Sequence, residues 1–151
     1  MRRTITCIIL NVITYSFCVA QDAIPNVSQR KEIEGLINQY SVARESKDTA
    51  LLRRILMPDI DQLVSTGEWR KGIGSAITGM LNSSATAPGT RTLVVDKIRM
   101  FHSTSAIVDC RYDIQSPDGT ARRMWSTFVV VIHDKMWKIT AIRNMLPAAG
   151  V

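Results

Sequence analysis

This 151-residue chain is poor in the residues that carry most enzyme chemistry. It has two histidines, three cysteines and only nine aromatic residues, three each of Trp, Tyr and Phe. His102 and His133 both fall in predicted hairpin turns, where an imidazole is badly placed to shuttle protons in a closed site. The few histidines and cysteines show no metal-ligand spacing, so no metal is expected. No phosphate-cradling glycine loop or dinucleotide fingerprint occurs, and no cofactor is expected. Basic residues are scattered, with doublets at Arg53-Arg54, Arg70-Lys71 and Arg122-Arg123. Nucleic-acid binding needs a clustered basic stripe, commonly with stacking aromatics, so nucleic acid is not an expected partner.

What is present begins at the N-terminus. Met1-Arg2-Arg3 is a short basic start, residues 4–19 carry no charge and are rich in Ile, Val and Cys, and Cys18-Val19-Ala20 precedes the polar Gln21-Asp22. This is the three-part pattern of a secretory signal. The apolar stretch of 16 residues is shorter than the roughly 20 that span a bilayer. Phe17 before Cys18 argues against a lipoprotein. Residues 1–20 are therefore read as a cleaved signal peptide, which leaves no stable membrane anchor and an exported product, periplasmic or secreted. Export takes Cys7 and Cys18 away, leaving Cys110 as the one cysteine and no internal disulfide. It also lowers the net charge from +6 to +4. The remaining 131 residues are one domain's worth of chain, able to bury a core without staples.

Residues 21–28 read as a polar leader and residues 29–147 as the domain. Ile33, Leu36, Ile37, Tyr40 and Ala43 recur at helical spacing, and Ser28 is placed to cap that helix. A second helix is predicted over 49–57, capped by Asp48 and stopped by Pro58. A short strand is predicted over 60–65, a brief extended piece over 67–72, and a third helix over 74–81. Residues 82–89 read as a loop. Four strands follow, over 92–101, 105–114, 121–132 and 136–145. In the second of these Ala106, Val108, Cys110, Tyr112 and Ile114 alternate with Ile107, Asp109, Arg111 and Asp113, the pattern of a half-buried antiparallel strand. Pro117-Asp118-Gly119 supplies a turn. The expected fold is α+β, with three N-terminal helices packed on a curved, mainly antiparallel sheet.

Three segments carry a family likeness: Met57-Pro58-Asp59-Ile60-Asp61 through Gly67, Gly72-Ile73-Gly74-Ser75-Ala76-Ile77, and Trp137-Lys138-Ile139-Thr140-Ala141-Ile142-Arg143-Asn144. Together with the element order they resemble the nuclear transport factor 2-like superfamily, and within it the SnoaL-like, ketosteroid isomerase-related branch of small proteins, many without assigned function. The resemblance spans residues 29–147. It implies a cone-shaped fold with a tapered cavity. Relatives include isomerases, dehydratases and cyclases as well as non-catalytic binding and association domains.

Within such a cavity Asp61 is the candidate catalytic group. Placed on the inward phase of the first strand, a carboxylate among apolar walls acts as a general base near neutral pH. The alternative is that it lies in an exposed turn after Pro58. Tyr112 offers a phenol, or is a core tyrosine. Trp69 and Trp125 are candidate ligand-contacting aromatics. Arg143 and Asn144 are candidate polar groups for an acidic ligand or a carbonyl, or simply a strand-end rim. The expected ligand is a small apolar or weakly acidic molecule. Both sheet faces are partly apolar and helices cover only one, so a homodimer through the open face is the expected partner. The two function classes are a pocket protein with optional proton-transfer chemistry and a non-catalytic association module with a closed cavity.

Overall fold

Asn26 starts the first helix. Its Oδ1 accepts from the Gln29 backbone N at 2.9 Å, and Gln29 Oε1 accepts from the Asn26 backbone N at 3.1 Å, a reciprocal capping box. The expected cap, Ser28, instead donates to Glu32 at 2.8 Å from inside the first turn. The computed structural model describes residues 24–148; the expected signal peptide and the first three residues of the leader lie outside the described residues. Helix α1 covers Val27–Glu45 and buries Ile33, Leu36, Ile37, Tyr40, Ala43 and Arg44. Helix α2, Thr49–Ile55, is capped by Asp48 as expected. It ends two residues earlier than predicted because Leu56 joins the sheet opposite Ile139.

Strands β1 (Leu56–Leu63) and β2 (Trp69–Lys71) form a hairpin, and helix α3 (Gly72–Thr86) follows it. The third helix enters after this hairpin, in the predicted element order, so the three helices are not one N-terminal block. It also extends into the predicted loop, as far as Thr86. Ser83, Ser84 and Thr86 turn their hydroxyls back onto the carbonyls of Gly79, Met80 and Asn82 at 2.8, 3.1 and 3.0 Å. Hydroxyls engaged within the helix do not compete with it from outside.

The remaining strands are β3 (Thr90–His102), β4 (Ser105–Gln115), β5 (Ala121–His133) and β6 (Met136–Met145). They pair as an antiparallel meander in one six-stranded sheet of order β2-β1-β6-β5-β4-β3. The exception to antiparallel pairing is β1 beside β6, which is parallel. The β1–β6 register slips between Leu56 and Asp61. Pro58 lies in that stretch, and proline has no N–H for a ladder.

The sheet presents one face to the helices. On it lie Ile60, Val108, Phe128, Val130, Ile139 and Ile142, all fully buried against Ile33, Ile37 and Leu52. Tyr40 meets Phe128 edge to face with ring centroids 5.2 Å apart. Trp137 is buried in this core. So is Cys110, whose thiol is pushed up to about 12 by burial first and by Asp109 and Asp96 second. It behaves as a small apolar residue.

Candidate functional site

A cavity of about 80 Å³ lies between the sheet and the helices, at the end of the core bounded by Ile114 and Met124. Its polar lining comes from separate elements. Arg44 projects from α1, Gln62 from β1, Arg70 from β2, Arg91 from β3, Tyr112 from β4 and Asn144 from β6. No carboxylate, histidine or cysteine lines it among the described residues.

Arg44 is only 7 % exposed. One Nη donates to the Tyr112 hydroxyl at 3.3 Å, and the other to the Met80 carbonyl at 3.4 Å and to Ser84 Oγ at 3.5 Å. Its Nε is buried without a partner. The guanidinium also lies 5.9 Å from the Tyr40 ring centre. Burial pushes the Tyr40 hydroxyl up despite the Arg44 charge, so it stays protonated at any physiological pH.

Arg70 is held differently. Its Nε and Nη2 donate to the two Glu68 oxygens at 3.0 and 3.4 Å, and Nη2 also reaches Ser83 Oγ at 3.3 Å. Those hydrogen bonds, with the Arg70 charge, hold the Glu68 carboxyl below its ordinary range. The side chain rests on Gly79 of α3, where a Cβ would overlap it. Arg91 donates to the carbonyls of Ser83, Ala87 and Gly89 at 3.4, 2.5 and 3.0 Å, at the negative end of α3. Gln62 is 1 % exposed and its Oε1 has no partner. Asn144 Oδ1 accepts from Ser126 Oγ at 2.5 Å.

Of the residues expected to form a site, Tyr112 and Asn144 line this cavity. Asp61, Trp69, Trp125 and Arg143 lie on the opposite face of the sheet. The expectation that Asp61 occupies the inward phase of its strand is corrected: buried Ile60 and Gln62 take that phase. Strand parity then sends Asp61 outward. There its Oδ1 meets Arg143 Nη2 at 2.8 Å, an ion pair without hydrogen-bond alignment. Arg143 also donates to the carbonyls of Asp61 and Ile142 at 3.3 and 2.9 Å. Its guanidinium stacks 4.7 Å over the Trp69 ring. Trp125 stands apart on β5, half exposed beside Asp109, Thr127 and Met145. The cavity residues that sequence reasoning missed are Arg44, Gln62, Arg70 and Arg91. Arg44 had a detectable signal, being four and seven residues beyond Tyr40 and Ile37 on the apolar stripe of α1. Gln62 had another, its alternation with Ile60.

No protein-family model matches the sequence, and no curated protein matches it. Solved structures do. An NTF-2-like protein of unknown function from Shewanella oneidensis is similar with a TM-score of 0.66 at 18 % identity, over 77 % of this chain and 98 % of that one. A domain of unknown function with a cystatin-like fold from Nostoc punctiforme gives a TM-score of 0.73 at 17 % identity, over 83 % and 82 %. Aln2 from a Streptomyces species gives 0.67 at 9 % identity, over 82 % and 94 %. The chain therefore has the NTF2-like, cystatin-like fold, an α+β arrangement of three helices and a six-stranded mixed sheet.

Chemically, the cavity offers guanidinium, phenol and amide groups to whatever enters. It can hold and orient an acceptor-rich group. Among the described residues it presents neither a carboxylate nor an imidazole as a candidate base.

Proposed function

We propose that this chain is an exported small-molecule-binding protein of the SnoaL-like type, whose ligand occupies the cavity of a cone-shaped domain. One observation carries the reading. Two nearly fully buried polar side chains, Arg44 and Gln62, face a cavity and have polar atoms left without protein partners. Buried polar groups in native proteins are satisfied, so such atoms mark where a ligand or water completes the site. Binding is better supported than proton transfer. A base for proton abstraction has to reach the ligand, and Asp61 is across the sheet, paired with Arg143.

The test is thermal unfolding of the chain beginning at Gln21 against a panel of small apolar, acidic and polar molecules. A ligand at 100 times its Kd stabilises the native state by about 2.7 kcal/mol, which raises Tm by several degrees. Gln62→Leu reduces that rise. A panel that gives no stabilisation by any member refutes the binding reading.

A second copy of the chain is the partner we propose, seated on the outer sheet face. Val94, Trp125 and Met145 are large apolar residues exposed on that face, and the helices cover only the other one. Light scattering at micromolar concentration reads a dimer on this view, and a monomer overturns it. This association module is the alternative function if the cavity proves closed. Export is tested by fractionating cells and reading the N-terminus of the mature chain, expected at Gln21.

A further inference from the structure

We infer that the cavity is built for a small organic monoanion: a carboxylate with a short apolar body, its charged end against Arg44. The inference deepens the binding reading above and rests on it.

Charge is the first argument. Of the four arginines at the cavity only Arg70 has a carboxylate partner, and of the other three only Arg44 is buried. Arg70 is paired with Glu68. Arg91 lies on the carbonyls at the end of α3. Arg122 is exposed to water and bonds Ser65 Oγ at 2.6 Å. Arg44 is buried, and its hydrogen-bond partners Tyr112, Met80 and Ser84 are all neutral. Among the described residues no Asp or Glu pairs with it. A guanidinium taken out of water without a counter-charge is unfavourable by several kcal/mol. Arg44 is the one buried guanidinium here without a counter-charge, and a single negative charge is enough to answer it. A carboxylate fits, and its two oxygens match the planar guanidinium fork. Phosphate, with close to two charges at pH 7, overshoots.

The hydrogen-bonding inventory is the second argument, and it is independent of charge. Gln62, 1 % exposed, makes no side-chain hydrogen bond among the described residues. The Tyr112 hydroxyl accepts from Arg44 and keeps its own proton to donate. Asn144 has its oxygen engaged by Ser126, leaving its amide N–H groups as donors. Donors therefore predominate around the cavity, the complement of an oxyanion, while the unpartnered Gln62 Oε1 takes a donor from a water or from the ligand.

Size and wall set the rest of the ligand. About 80 Å³ is the room of several waters, enough for a short acid and too little for a nucleotide. Val64, Ile114 and Met124 provide an apolar wall for a short carbon body.

The experiment uses the full chain at pH 7, in buffer free of carboxylate and low in chloride. Binding is read by calorimetry and Tm for straight-chain and aromatic carboxylic acids of two to seven carbons, each beside its own primary amide. Sodium chloride and inorganic phosphate are run alongside. The expected result is a carboxylate that binds at least tenfold more tightly than its amide and more tightly than chloride or phosphate. Arg44→Met lowers its affinity at least tenfold, and Arg44→Lys, a point charge without the fork, recovers part of the loss. Should Arg44→Met fail to fold, Gln62→Leu is the second variant, expected to weaken the acid several-fold while the preference over the amide persists. The wild-type comparison of acid with amide needs no variant. Equal binding of acid and amide overturns the monoanion and leaves the pocket reading standing. An equal response to chloride or phosphate also overturns it, as does undiminished carboxylate binding by folded Arg44→Met. Absence of binding by every acid and amide removes the pocket reading itself.

Discussion

Replacing a helix-interior glycine with alanine ordinarily stabilises a protein by about 0.5–1 kcal/mol, because glycine loses more backbone freedom on folding. Gly79, inside α3, reverses that rule here. A Cβ built on it overlaps the Nε, Cδ and Cζ of Arg70. Arg70 has little freedom to retreat: it is 8 % exposed and is bonded to Glu68 and Ser83. Overpacking of a filled interior costs about 1–3 kcal/mol. Set against the gain in helix propensity, Gly79→Ala should destabilise by about 0.5–2 kcal/mol. In an Arg70→Ala background the obstacle is gone, and the same substitution should stabilise by about 0.5–1 kcal/mol. Arg70→Ala is a clean partner for the cycle. Glu68 is left in water, and Ser83 keeps its bond to the Gly79 carbonyl at 2.8 Å. Urea midpoints of the four chains, followed by far-ultraviolet circular dichroism, give the coupling energy. A coupling below about 0.5 kcal/mol, the ordinary error of additivity, refutes the claim that Gly79 is the space Arg70 occupies.

Three further outcomes are expected. Asn26→Ala should cost about 1 kcal/mol through loss of the capping box, whereas Ser28→Ala stays within about 0.5 kcal/mol; a larger effect at Ser28 would move the cap. Cys110 has its thiol raised from the ordinary 9.0 to about 12 by burial, so its contribution to stability is fully present below pH 9. It is lost as pH climbs toward 12, at up to about 1.4 kcal/mol per pH unit. In a chain with Cys7 and Cys18 changed to serine, urea midpoints at pH 8, 9 and 10 should fall more steeply than when Cys110 is also changed to alanine. Parallel slopes would contradict the burial. Asp61→Asn removes a half-exposed ion pair on the outer face, so stability should change by no more than about 1 kcal/mol and ligand-induced Tm shifts should be unaltered; loss of those shifts would return Asp61 to the site.

The meander was the most legible part of the fold. Strand β6 runs over the expected residues, and the others differ by at most two at each end, because period-two alternation and turn residues act locally. Where prediction slipped, a tertiary partner decided. Helix α2 yields Leu56 to pairing with Ile139, a contact 83 residues away in the chain. The loop expected after α3 is helical as far as Thr86 because three hydroxyls bond inward and Arg91 gathers the carbonyls at its end. A composition of Ser, Ala, Thr and Pro carries no trace of either.

The phase of β1 matters most for function. Ile60 and Leu63 are both apolar but have opposite parity, so alternation alone cannot say which of Asp61 and Gln62 points inward. Pairing with β6 decides it. Gln62 lies opposite Ile142 and Asp61 opposite Ala141, and Ile142 is fully buried. The register slip beside Pro58 sets that alignment. A shift of one residue would place Asp61 inside, and the cavity would hold a carboxylate facing the buried Arg44. The guanidinium would then be satisfied by the protein itself, with no charge left to recruit an anion. In the register that forms, Gln62 occupies the position and the positive charge stays unanswered. The choice between a cavity that carries its own carboxylate and the carboxylate-free cavity from which an acidic ligand is proposed is therefore made by strand parity, one residue either way.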